Sequence, residues 1–250
     1  MPIPNKTLRS ILGLLLLALL SSSAQSDPAA ASYIAQGDRL FEQMKYKEAV
    51  AAYAPDSNIA EAQWKMARAY ICYADIIKTN REYYYNKATL AARRCIQMDP
   101  KNGSAHAWLA AALGNMAVYQ GSRTKVMLCN EIKKELDIAI AINPNDDIAL
   151  SILGSFYRVL GDINWLERNL ATLFLGGIPE GGYEDSEKYF FRAIKVSPNT
   201  MRHWFELGLL YKSWGKKDKE KDAFLKAQKC PIKMASDKDR LDLIAKYLKD

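Results

Sequence analysis

The octet Trp204-Phe205-Glu206-Leu207-Gly208-Leu209-Leu210-Tyr211 decides the fold. At 3.6 residues per turn, Trp204, Leu207, Gly208 and Tyr211 share one helical face. The glycine removes a side chain where a second helix would cross, and the large residues three and four away fill the space beside it. The arrangement recurs at Leu150, Leu153, Gly154 and Tyr157, and in reduced form at Trp64 with Ala67 and at Trp108 with Ala111 and Ala112. An earlier unit runs through Gly37, Leu40, Ala49 and Tyr53, and a last one carries Phe224 and Ala227 and ends near Pro231.

The units also share an ending. Cys95-Ile96-Gln97-Met98-Asp99-Pro100, Ala139-Ile140-Ala141-Ile142-Asn143-Pro144 and Ala193-Ile194-Lys195-Val196-Ser197-Pro198 follow one pattern. The small first residue admits a neighbouring helix, the two apolar residues are expected to face the core, and the proline stops the helix. Phased units with recurring proline stops exceed what unrelated amphipathic helices in a bundle would show. The spacing of Trp204, Leu207, Gly208 and Tyr211 is the first-helix signature of tetratricopeptide repeats. The expected fold is therefore all-α, a tetratricopeptide-like helical repeat solenoid of about five helix pairs.

The units depart from the usual period of about 34 residues. Pro100 to Pro144 is 44 residues and Pro144 to Pro198 is 54. Lengthened helices in the second and third units account for part of the excess. The fourth unit holds an insertion: residues 162–175 read as an added amphipathic helix capped by Asp162 or Asn164, followed by a loop over Gly176 to Gly182. Residues 236–249, with Leu241, Leu243, Ile244 and Leu248, read as a capping helix over the last repeat's open apolar face.

Ahead of the repeats, Lys6 and Arg9 precede the apolar run Ile11 to Leu20, and small residues follow at Ser22, Ser23 and Ala24. This is the anatomy of a secretory signal, with an uncleaved anchor as the alternative. The expected organisation is a signal peptide at 1–24, a short linker at 25–32, the repeat domain at 33–235 and the capping helix at 236–250. A periplasmic or secreted location follows, with no spanning segment after the leader is removed. The formal charge of +7 falls to +5 without Lys6 and Arg9, which permits acidic partners without requiring them. The four cysteines form no Cys-x-x-Cys pair, so they read as small buried apolar residues on helices, with disulfides as the alternative in an oxidising compartment.

Further residues resemble the regulator of microtubule dynamics proteins, a tetratricopeptide-like family. They are Ala105-His106-Ala107-Trp108 at a helix start, the turn from Gly121 through Arg123 to Lys125, Ile132-Lys133, Ala139-Ile140 and Asn143-Pro144. The most specific are Trp165, Arg168 and Ala171, followed by Pro179, Tyr183 and Ala193. The resemblance spans about residues 35–245 and makes the insertion a family feature. It implies an association with microtubules and organelle contact sites, and for some repeat domains with lipids. The leader suggests a bacterial envelope member, which would not meet microtubules. The architecture is also similar, more loosely, to the helical T component of TRAP-type transport.

In this fold the first helix of each unit lines a concave surface. The tetratricopeptide pattern implies inward positions at Lys65, Ala69 and Cys72; at His106, Leu109, Leu113 and Met116; at Ile148, Ser151, Ser155 and Arg158; and at Arg202, Phe205, Leu209 and Lys212. An apolar wall ringed by Lys65, Arg158, Arg202 and Lys212 suits a peptide carboxylate, a fatty acid or an acidic lipid. The competing expectation is that the longer helices fill the groove.

Nothing in the sequence calls for catalysis. His106 and His203 form no metal-binding pair, no G-x-S-x-G or phosphate loop occurs, and no strand precedes Gly176 and Gly177. No catalytic residue, metal ligand or cofactor is expected, and each histidine reads as a polar or capping residue at a helix start. The lysine-rich stretch 212–233 is interleaved with Asp218, Glu220 and Asp222, which reads as a solvated face with lipid head groups or acidic protein as alternatives. No aromatic interleaving points to nucleic acid. Of Tyr83-Tyr84-Tyr85, at most two can be core, and the third would mark a contact site. The leading expectation is a non-enzymatic protein-binding scaffold or adaptor of the envelope with a protein or peptide partner. The alternative is a binder of an acidic lipid or small amphiphile that serves a transporter, and microtubule binding enters by family analogy alone.

Overall fold

The computed structural model of the chain describes residues 28–163, 168, 169, 171, 172 and 177–249. The leader at 1–24, the first part of the linker and most of the inserted helix lie outside the described residues. Among the described residues eleven α-helices follow one another, mostly as antiparallel pairs, and no strand occurs. The first pair is α1 (Pro28–Glu42) and α2 (Tyr46–Tyr53), closed by a tight turn at Ala54–Asp56. Next come α3 (Ala60–Ile76) with α4 (Arg81–Met98), and α5 (Gly103–Gln120) with α6 (Ser122–Ile142). Then follow α7 (Asp147–Gly161) with α8 (Tyr183–Val196), α9 (Met201–Ser213) with α10 (Lys217–Gln228), and the single α11 (Ser236–Tyr247). The described residues thus form a tetratricopeptide-like solenoid of five pairs and a terminal helix. Helix α1 begins at Pro28, inside the stretch read as linker. A proline suits the first turn, and Ala29, Ala30 and Ala31 are strong helix formers.

The glycine logic of the repeat is visible in contacts. A Cβ on Gly37 would meet the Tyr53 ring at 2.2 Å, one on Gly154 the Phe190 ring at 2.8 Å, and one on Gly208 the Phe224 ring at 2.4 Å. In each case an aromatic of the second helix lies flat against the bare backbone of the first. The proline-ended words also act as stops: α4, α6 and α8 end at Met98, Ile142 and Val196, one residue before Asp99, Asn143 and Ser197. The residue before a proline is pushed out of the helical region. Asn102 and Asp146 then open α5 and α7 by accepting the N–H groups of Ala105 (3.0 Å) and Ala149 (2.9 Å).

The two apolar residues of each of these segments do not both face the core, contrary to the expectation from the sequence. Their small residues Cys95, Ala139 and Ala193 are fully buried, but Met98, Ile142 and Val196 are 43, 41 and 41% exposed. Two residues separated by two positions stand about 200° apart on a helix, so the isoleucine and the later apolar residue cannot share the core face.

Helix α5 is the axis of the core. Ala105 to Leu113, Met116 and Ala117 are buried, which leaves α5 no solvent face over its first three turns. Such a helix must be enclosed on all sides, and α3, α4, α6 and α7 enclose it. Arg168 of the insertion donates to the carbonyls of Leu160 (2.8 Å) and Gly181 (3.2 Å) on its two flanks. At the far end α11 covers Phe224 with Ile244, Leu241 and Leu248. It also reaches back to α3, and the Ala235 N–H donates to the Tyr46 hydroxyl at 2.9 Å. The solenoid therefore curls until its cap meets its first pair.

Candidate functional site

The curl decides what becomes of the expected groove. Of the ten residues expected to bind there, Arg158 and Arg202 line a pocket among α5, α6 and α7, and the other eight are not part of that lining. Leu109 and Leu113 are core residues of α5, and Met116 packs on Ala74 and Tyr85. Phe205 lies against Phe224 with ring centroids 5.9 Å apart, and Leu209 joins the same cluster. Lys65 is buried and paired with Asp38 and Glu61. Lys212 is exposed, with its ammonium 4.7 Å from the centre of the Tyr247 ring. Leu109, Leu113, Met116, Phe205 and Leu209 are thus taken up in packing, Lys65 in a buried ion pair, and Lys212 stays at the surface.

The histidines also differ from expectation. Both are buried rather than surface or capping residues. His106 Nδ1 meets the Glu135 carboxylate while Nε2 meets the Pro100 carbonyl at 3.0 Å. His203 Nε2 is 2.9 Å from the Asp147 carboxylate. Burial would raise Asp147, but hydrogen bonds from His203 and Ser197 outweigh it and hold the carboxyl below its ordinary value. These pairs tie α5 to α6 and α9 to α7, so they are structural links.

The space that remains lies among α5, α6, α7 and the flanks of the insertion. It is a pocket of about 190 Å³. Ala110, Gly114, Val118, Cys129, Ile152, Phe156 and Ile178 are among its apolar lining. Its charged lining is Lys125, Arg158, Arg202 and Glu206, an excess of two cations. Glu206 accepts from Ser155 (3.2 Å) and more distantly from Arg158 (3.4 Å). The buried Nε atoms of Arg158 and Arg202 have no hydrogen-bond partner among the described residues. Each half-buried guanidinium thus keeps an unsatisfied Nε–H beside the pocket, and its planar fork of donors suits a carboxylate or phosphate. Gly114 adds room, because a Cβ there would have nothing within 4 Å. Burial pushes the Cys129 thiol up, which keeps it neutral and a poor nucleophile.

Of the expected inward positions only Ser155, Arg158 and Arg202 line this pocket; Gly114, Lys125 and Glu206 are among the lining residues that position rules miss. Glu206 sits in the repeat signature itself, where a carboxylate between Phe205 and Leu207 reads as solvent-facing. Among the described residues no group of three or more His, Cys, Asp or Glu could hold a metal ion. All four cysteines are free thiols.

A second pocket, of about 470 Å³, lies between α3 and α4. Lys87, Arg93 and Arg94 line it together with Met66, Tyr70 and Leu90, and no carboxylate does. Arg93 is paired with Glu131 of α6, and Lys87 and Arg94 make no ion pair among the described residues.

A family profile described as regulator of microtubule dynamics protein 1-3 matches residues 33–250. Regulator of microtubule dynamics protein 1 of Rattus norvegicus is 29% identical over 181 residues, covering 70% of this chain and 58% of that protein. Its counterpart from Mus musculus is 27% identical over 172 residues, covering 66% and 56%. The chain thus spans about half the length of the curated relatives it matches. Among solved structures, a thermophilic tetratricopeptide-repeat protein of Thermus thermophilus aligns with a TM-score of 0.63 and 18% identity. That alignment covers 88% of this chain and 100% of the other, and it is a likeness of fold.

Proposed function

The chain belongs to the regulator of microtubule dynamics family, and from that premise we propose that it is a non-catalytic binding protein whose α5–α6–α7 pocket takes an acidic amphiphile. The observation that carries this reading is the pairing of an apolar pocket with Arg158 and Arg202, whose buried Nε atoms lack partners among the described residues. The apolar wall takes a hydrocarbon chain, and the guanidinium groups take its carboxylate or phosphate. The pocket is smaller than the roughly 300–1,000 Å³ usual for drug-sized ligands, which fits a slender chain better than a ring system. With its leader-type residues 1–24, the same proposal has the protein exported and working in the envelope. Microtubule regulation, which the relatives' name carries, is not part of it.

Native mass spectrometry of the purified protein, with solvent extraction of what it carries, tests the reading. The expected result is a bound acidic lipid or fatty acid that is lost in the Arg158→Gln/Arg202→Gln variant. Bare protein that also fails to take up added fatty acid would overturn it.

A second reading, an adaptor for an acidic protein segment, is supported by the basic pocket between α3 and α4. Lys87, Leu90 and Arg94 follow one another on one face of α4, and Leu90 is exposed. A partner helix or strand with an apolar anchor between carboxylates would match them. Crosslinking from position 90 in the native cell tests it, with a partner captured by the wild type and lost on Arg94→Glu.

A further inference from the structure

The turns from α3 into α4 and from α5 into α6 form an edge of the solenoid most of whose outer side chains lie outside the pocket. Gln120 donates to Glu82 at 2.6 Å, and Met116 packs on Tyr85, so the start of α4 lies beside the end of α5. Ile76, Tyr83, Val118, Tyr119 and Met127 are exposed there, the last four by more than half of their surface. Of the three adjacent tyrosines, Tyr85 is core, Tyr84 is half-buried against Tyr70 and Tyr73, and Tyr83 points outward. Large apolar side chains gathered in water mark a contact surface.

Charge says what the contact is. Residues 76–87 and 116–127 carry five cations and one carboxylate, Glu82, and that carboxylate is engaged by Gln120. Lys78 and Arg123 are exposed, and Arg81 and Lys125 are half-buried. Tyrosine and aliphatic side chains amid cations are the chemistry of the boundary between anionic head groups and acyl chains. The edge also runs into the pocket, because Val118, Lys125 and Val126 line it. No helix among the described residues is long and apolar enough to cross a membrane, so the contact would be peripheral.

We propose that this edge docks the protein on a bilayer containing anionic lipid, with Tyr83, Tyr119 and Met127 entering the interface and Lys78 and Arg123 meeting head groups. An amphiphile leaving that bilayer would then travel along apolar surface, and its acid group would meet Lys125 before Arg158 and Arg202. This loading role rests on the amphiphile reading of the pocket, whereas the docking does not.

Flotation with phosphatidylcholine vesicles, with and without phosphatidylserine, tests the proposal. The wild type should float with the anionic vesicles and stay behind with the neutral ones. Tyr83→Ser/Tyr119→Ser/Met127→Ser and Lys78→Glu/Arg123→Glu should each weaken that partition by at least about tenfold. None of these five residues lines the pocket, so both variants should bind a monomeric fluorescent fatty acid in free solution as the wild type does. A wild type that does not float, that floats equally with neutral vesicles, or whose variants float unchanged would overturn the docking. A wild type that floats through this edge yet binds no fatty acid would keep the docking and remove the pocket reading.

Discussion

The Tyr46 hydroxyl of α2 accepts the backbone N–H of Ala235 at 2.9 Å, across 189 residues of chain. Tyr46 is buried, and burial pushes its hydroxyl up to about 12, so it remains a neutral phenol at any physiological pH. The bond joins the first helix pair to the turn that leads into the cap. Asp237 stiffens that turn by accepting the N–H groups of Lys233 and Met234, each at 2.9 Å, and a donor of Arg240 at 2.7 Å. Tyr46→Phe would leave the Ala235 N–H without its acceptor and should lower stability by about 1–2 kcal/mol. Urea denaturation measures the loss, and amide exchange at 233–237 should quicken. Unchanged stability and exchange would mean that the closure is held elsewhere.

Two helical glycines should respond to alanine with opposite signs. At Gly208 the added methyl lies 2.4 Å from the Phe224 ring. Overpacking of about 1–3 kcal/mol should outweigh a helix-propensity gain of about 1 kcal/mol. At Gly114 the methyl meets nothing within 4 Å, so Gly114→Ala should stabilise by about 0.5–1 kcal/mol. Thermal melts of the two variants would show Tm falling in the first and rising in the second.

Asp75 on α3 sets a pH dependence. Withdrawal from water holds its carboxyl above the ordinary value of 3.8, against the pull of Arg202, Arg240 and Arg81 and the hydroxyl of Tyr85. A carboxyl whose folded pKa is raised binds its proton more tightly when folded. It therefore opposes folding increasingly as pH climbs past 3.8 toward that raised value, and by a constant amount above it. Asp75→Asn should stabilise the protein at neutral pH and lose that advantage near pH 3.8 and below. Denaturation midpoints across this range check it, and an advantage that grew on acidification would contradict the sign.

The residues that announce the fold act locally. Gly208 accommodates Phe224, Pro100 and Pro144 forbid helix, and Asn102 caps α5, each within one helix pair, so each is legible in a window of sequence. The pocket depends on how far the pairs curl, a sum of small rotations that no window contains. An open solenoid would display Leu109, Leu113 and Met116 on its concave wall, and here they are core because α5 is enclosed by four helices. Arg158 and Arg202 were readable as inward cations. Lys125, which the sequence places in a turn beginning at Gly121, stands instead in the first turn of α6, where it faces the pocket. Gly114 carries no sequence mark, since its function is the space beside it.

The amphiphile pocket is tested most directly by filling it from Gly114. The variant Gly114→Leu places a side chain into open space at a position that favours helix over the native glycine, so the fold should be retained. Titration of wild type and variant with a monomeric fluorescent fatty acid, alongside a thermal melt, is the measurement. The wild type should bind saturably and the variant at least about tenfold more weakly, equivalent to two methylenes left in water at about 0.8 kcal/mol each, with Tm unchanged or higher. Equal binding by the two proteins, or none by the wild type, would contradict the amphiphile pocket.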